Sequence, residues 1–250
     1  MAVDLGMGVD TRITASLHPQ SVASLDEYDS DTEGELQQAV QAFTSVYEGI
    51  GKVLDVRDVA ASNTAWNEDM RTIKVQEMAD RAFAKFAPQL DKVYHNMRAG
   101  AELIEKQLSA PVEARAAHTI STQIRDHVKG MGQRQGVSEL DKRPRQSAVG
   151  FVQAAIQKGD EVTVSAVLGA PAYLSGLTDE MQAMRLRQWH EKANPKAAKR
   201  LRAMRAVMDL IQDRAPLIHK ELERVVGKSP AYAKMLRDKH NAAEKALGGI

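Results

Sequence analysis

Residues 194–225 read NPKAAKRLRAMRAVMDLIQDRAPLIHKELERV, and one apolar series runs through them: Ala197, Leu201, Met204, Met208, Ile211, Ala215, Ile218, Leu222 and Val225. The spacings alternate between four and three, the period that puts side chains on a single stripe of an α-helix. Asn194 suits the N-cap, and Pro195 the first helical position, where its missing N–H costs nothing. Full burial of the six larger interior members would contribute on the order of 10 kcal/mol before entropy, at about 1.5–3 kcal/mol per side chain. Pro216 interrupts the series and predicts a kink or break near Gln212. That interruption favours packing of the seam within the chain over a long coiled coil between chains.

The same signature recurs upstream. Thr32 followed by Glu35 reads as a capping box, and Leu36, Val40, Phe43, Tyr47, Ile50 and Leu54 then mark one stripe of about six turns. A second helix is predicted from about Asn63 to Phe86, with Trp66, Met70, Ile73, Phe83 and Phe86 as its buried candidates. Pro88 suits the first turn of a third, carrying Leu90, Tyr94, Met97, Ala101, Ile104 and Leu108. A fourth opens at Ser109 and Pro111, carries Ala117, Ile120, Ile124, His127 and Val128, and stops at Gly130-Met131-Gly132. Shorter helices follow over about Pro144 to Lys158 and Asp160 to Leu168; another starts at Thr178, and a last one runs from Ser229-Pro230 to Gly248-Gly249. Strand signals are nearly absent, with Val162-Thr163-Val164 the one short β-branched run. The expected fold is all-α, a bundle of long amphipathic helices with a polar N-terminal arm. Its expected organisation is an acidic arm at 1–31, a bundle at 32–130, a linker at 131–143 and a C-terminal helical region at 144–250.

With 250 residues and 43% hydrophobic content the chain can bury a sizeable core, and its lack of cysteine excludes disulfides, thiolate nucleophiles and Cys-ligated zinc. No apolar run reaches the length of a membrane span, and the first residues lack the basic start of a secretory signal, so neither is expected. The net charge of +1 conceals a strong asymmetry. Residues 1–35 carry eight acids against Arg12 alone, whereas residues 185–205 carry eight bases against Glu191 alone. Those bases, Arg185, Arg187, Lys192, Lys196, Lys199, Arg200, Arg202 and Arg205, form the candidate interaction surface. A solvated helix face is the default reading, a nucleic-acid backbone or an acidic protein the sharper ones. Trp189 and His190 lie within the run and suit either base stacking or, for the tryptophan, core packing. The acidic leader reads by default as a disordered solvating tail; the sharper alternative is an arm that wraps a basic neighbour, including the basic run of another subunit.

Catalytic templates do not fit. Gly227-Lys228-Ser229 lacks the earlier glycine of a phosphate-binding loop, since Leu222 stands there, and Gly6-Met7-Gly8 lacks a third glycine. The seven histidines form no His-Glu-x-x-His and no Glu-x-x-His pair. Asp91 and His95, one turn apart, read as a surface pair. Met97, Met204 and Met208 lie on apolar stripes as gap-fillers. No catalytic, cofactor-binding or metal-binding residue is expected, and the chain reads as a non-enzyme.

One passage carries a family likeness: Gly159-Asp160-Glu161 through Ser165-Ala166-Val167-Leu168-Gly169-Ala170-Pro171, then Leu174-Ser175-Gly176-Leu177. It resembles stretches in helical proteins encoded among the structural genes of tailed bacteriophages. The resemblance covers under a tenth of the chain and carries over no functional residue. It implies a virion or assembly protein, made in the host cytoplasm and built into the particle, in an internal, connector or tail, or scaffold role. Its expected partners are other virion proteins and further copies of itself, with DNA as the partner of the alternative reading, in which residues 185–205 with Lys142, Arg143 and Arg145 make it a nucleic-acid-binding or regulatory protein.

Overall fold

A computed structural model describes residues 5–113, 115–133 and 147–247, and among the described residues every regular element is helical. In chain order the α-helices are α1 Gln20–Ala23, α2 Glu33–Ser62, α3 Glu68–Leu108, α4 His118–Gln133, α5 Ala148–Lys158, α6 Glu161–Leu168, α7 Asp179–Ala193, α8 Pro195–Val226 and α9 Pro230–Leu247. Two compact units result: residues 1–101 with 199–250, and residues 102–198. This departs from the contiguous regions at 32–130 and 144–250 that the sequence suggested. The first unit is discontinuous because the apolar face of α8 completes a core begun by α2 and α3. Of the expected linker, Met131–Gln133 continue α4, and residues 134–143 lie outside the described residues.

In the first unit, α2 buries Leu36, Phe43, Val46, Ile50, Val53 and Leu54 along one face. A short turn reverses the chain, so α3 runs back antiparallel, with Asn96 Nδ2 donating to Gln38 Oε1 at 2.9 Å. The helices cross closely at Gly49, where a Cβ would stand 3.0 Å from the Phe86 ring. On the other flank of α3, a Cβ on Gly100 would stand 2.9 Å from the Met204 thioether of α8, and Gln212 donates to the Tyr94 hydroxyl at 2.8 Å.

Both internal prolines behave differently from the sequence expectation. Pro88 lies inside a single 41-residue α3 instead of opening a new helix, and α8 continues through Pro216 for its full 32 residues. The physical reason is the face on which each ring falls. Pro88 and Ala84 are exposed, as are Pro216 and Gln212, so each carbonyl deprived of its N–H partner can bond water. Apolar residues on both sides of each proline, Phe86 with Leu90 and Ile211 with Ile218, stay on one buried stripe.

The α8 seam is buried at Ala197, Leu201, Met204, Ile211, Ile218, Leu222 and Val225, half-buried at Met208 and exposed at Ala215. A parallel stripe, Ala203, Val207 and Leu210, is buried as well. The helix is therefore covered on a wider face than a two-stranded coiled-coil seam presents.

The second unit closes around Val128, Val152, Ile156, Val164, Val167 and Leu168. Local signals place its helices. Ser147, Asp160 and Thr178 cap α5, α6 and α7, each side chain accepting from a backbone N–H three residues on. Gly159, at φ 75°, takes the left-handed turn between α5 and α6. Two expectations fail here: α4 begins at His118, not at Ser109 or Pro111, and it runs through Gly130 and Gly132. Ile120, expected in the core, is exposed.

Candidate functional site

The acidic leader is ordered against its own unit. Ile13, Leu17, Val22, Ala23 and Tyr28 are buried, which gives this polar segment the apolar anchors that a disordered tail lacks. Three polar clasps accompany them. In the first, Tyr47 on α2 accepts from the Asp10 N–H at 2.6 Å and donates to the Asp10 carbonyl at 3.1 Å. In the second, Arg12 reaches the carboxylates of Asp10, Asp55 and Asp58 at 2.8, 2.9 and 3.1 Å. The Arg12 guanidinium and the Arg12 backbone N–H, both donating to the Asp10 carboxylate, hold that carboxyl below its ordinary range.

The third clasp is buried. Glu221 of α8, 5% exposed, accepts from the Thr14 N–H at 3.2 Å and from the Thr14 hydroxyl at 3.0 Å. Arg224 grips the same carboxylate through two bonds of 2.6 and 3.1 Å, and also donates to the Arg12 carbonyl. Burial alone would push the Glu221 carboxyl up, but the bonds from Arg224 and Thr14 outweigh it and leave the group below its ordinary value.

The basic start of α8 receives the remainder of the leader. Lys199 pairs with Asp29 and, at 3.9 Å, with Asp31; Arg200 pairs with Glu35; Arg202 lies 3.8 Å from Glu27. The Thr32–Glu35 capping box predicted from sequence is replaced by this arrangement. The Thr32 hydroxyl donates to the Glu27 carbonyl and accepts from the Asp29 N–H at 3.1 Å, and Glu35 turns to Arg200. Magnitudes decide what holds the leader. Exposed ion pairs contribute about 0–1 kcal/mol each, whereas each buried Ile, Leu or Val contributes about 1.5–3 kcal/mol. Apolar burial therefore anchors the leader, and the charges set its register.

The other predicted interface cations also serve their own chain. Arg185 bonds Gln188 at 2.6 Å and also Gln153. Arg187 pairs with Glu191 at 2.9 Å. Lys192 caps the C-terminus of α5 through the Ile156 and Gln157 carbonyls. Lys196 and Arg205 are likewise engaged. Trp189 packs on the core of the second unit, and His190 bonds the Ala110 carbonyl at 2.7 Å. The structure thus gathers Lys199, Arg200 and Arg202 into one site and puts Arg185, Arg187 and Lys192 to use inside the second unit. Lys142, Arg143 and Arg145 lie outside the described residues.

Sequence reasoning missed Thr14, Tyr47, Glu221 and Arg224. A signal for Glu221 exists: it continues the second α8 stripe of Ala203, Val207, Leu210 and Leu217, so a carboxylate at that register needs a partner. Acid should test this clasp. A depressed carboxyl contributes stability above its unfolded value of about 4.3, and that contribution is lost as pH falls through the folded value. Glu221→Ala should cost about 2 kcal/mol at pH 7 and less in acid, the difference shrinking as pH falls through the lowered folded value, read by chemical denaturation at neutral and at acid pH. An equal loss at both would show that the carboxylate charge is irrelevant.

An apolar cleft of about 300 Å³ opens in the first unit between the proline-bearing stretches of α3 and α8, lined by Phe83, Phe86, Leu90, Ile211 and Ile218 among others. Among the described residues no three His, Asp or Glu side chains converge in metal-binding geometry, and no helix is long and apolar enough to cross a membrane. No protein-family model, curated protein or solved structure matches the chain.

Proposed function

We propose that this chain is a non-enzymatic assembly component of a tailed-phage virion, acting through helix-mediated contacts with neighbouring copies of itself and other virion proteins. The observation that carries the reading is α7. This 15-residue helix buries none of its residues. Leu186 and Trp189 lean on the core of the second unit, while Met181 and Met184 stand 41% and 57% exposed, with Tyr173 at 71% just upstream. Flexible thioethers beside an exposed aromatic suit an adaptable protein contact. The basic run, by contrast, is already occupied by the chain's own groups. The resemblance of residues 159–177 to phage structural-gene products supports the same reading, and such a protein is made in the host cytoplasm before entering the particle.

Light scattering at low and high salt is the test. A multimer insensitive to salt is expected, and Met181→Glu with Met184→Glu should reduce it to a monomer with unchanged helicity. A wild-type protein that is monomeric at all concentrations and absent from both mature and immature particles would sink the proposal.

A further inference from the structure

The leader attaches in two halves of different character. Residues 10–23 are held by buried Ile13, Leu17 and Val22 and by the Glu221 clasp. Residues 26–31 instead meet α8 through part-exposed pairs: Asp29 and Asp31, 42% and 44% exposed, on Lys199, and Glu27 on Arg202, which is 57% exposed, while Arg200 between them pairs with Glu35 of α2. Tyr28 is the one buried side chain of that turn and anchors its backbone, while the Asp29 and Asp31 carboxylates beside it stay within reach of water. The occupant seen on Lys199, Arg200 and Arg202 is therefore a run of anionic groups held by weak, exchangeable pairs.

We infer that Glu27, Asp29 and Asp31 mask Lys199 and Arg202, two cations of a phosphate-binding face that Arg200, paired with Glu35, completes, and that its partner is a nucleic-acid backbone, which takes the face by displacing those carboxylates. Two features favour phosphate over an acidic protein. Protein interfaces centre on apolar anchors, yet the apolar neighbours of these cations, Leu201, Ala203 and Met204, all point into the core. Arginine forks match phosphate oxygens in pairs, and two of the three cations are arginines. The exchange is driven by release of counterions from the nucleic acid, with a salt slope of about 0.9 per phosphate neutralised.

The test compares wild type with Glu27→Gln, Asp29→Asn, Asp31→Asn on labelled duplex DNA, by fluorescence anisotropy across a salt series. The neutralised variant should bind on the order of tenfold tighter at low salt, with a slope steeper by about two, one for each of the released Lys199 and Arg202. Adding Arg200→Glu and Arg202→Glu should abolish the gain, with far-UV circular dichroism unchanged throughout. The inference is overturned if neutralisation brings no gain, or if the gain survives the arginine reversals. It is also overturned if polyglutamate competes as well as DNA does, which would assign an acidic protein. A change in multimer size without DNA binding would assign the leader of a second copy and overturn it too. Light scattering without DNA reads the assembly proposal separately, so failure of one leaves the other measurable.

Discussion

Phe86→Ala is expected to destabilise the first unit by about 4 kcal/mol, near the top of the range for truncating a buried side chain. Phe86 is 1% exposed on α3 and meets Phe83 edge-on at 5.6 Å. Facing it across the helix crossing is Gly49, chosen for closeness, whose α-carbon has no side chain to fill the vacated space. The cavity would therefore persist, and its cost adds to the lost burial. The two tryptophans make the effect assignable, because Trp66 lies in the first unit and Trp189 in the second. In a Trp189→Phe background, denaturation followed at Trp66 should shift with Phe86→Ala. In a Trp66→Phe background, the transition followed at Trp189 reports whether the second unit yields with it. A loss under about 1 kcal/mol at Trp66 would mean that the Gly49 crossing relaxes and is not close-packed.

What was legible in the sequence was local. The stripe from Leu36 to Leu54, the seam on α8, the helix start at Thr178 and the cap at Asn194 depend on residues within a few positions of one another, and apart from half-buried Met208 and exposed Ala215 they stand where their patterns placed them. The prolines run against the expectation because a missing N–H ends a helix only where the freed carbonyl finds no other partner, and that depends on the face each ring occupies. Both lie off the apolar stripe, on the side where water serves the orphaned carbonyl, and that was readable in principle.

The site itself was only half legible. The opposite charges of residues 1–35 and 185–205 were plain, but not that Asp29 meets Lys199 across 170 positions of the same chain. Composition gives sign and strength; it cannot give topology. The discontinuous first unit was hidden for the same reason, since contiguity in sequence was the sole guide to domains. The leader's order could have been suspected from Ile13, Leu17, Val22 and Tyr28, which a purely solvating tail does not need.

Gly169→Ala should be the most damaging small substitution in the second unit, costing about 3 kcal/mol at the upper end of ordinary overpacking. A Cβ there would stand 2.5 Å from the Ser165 carbonyl oxygen and 2.5 Å from that of Val112. Both are backbone atoms, so neither can swing aside as the Met204 thioether can from Gly100. To admit one methyl group, the end of α6 or the segment before α4 must move, and each carries part of the core through Leu168 and Val112. Gly159→Ala supplies the control. Gly159 needs φ 75° but has open space around it, so its loss should be the backbone cost alone, about 1–2 kcal/mol. Followed at Trp189, Gly169→Ala should exceed Gly159→Ala, while the transition at Trp66 stays in place if the units unfold independently. Equal losses at the two glycines would mean that the carbonyl approach at Gly169 is not a packing constraint, and that the turn after α6 tolerates a side chain.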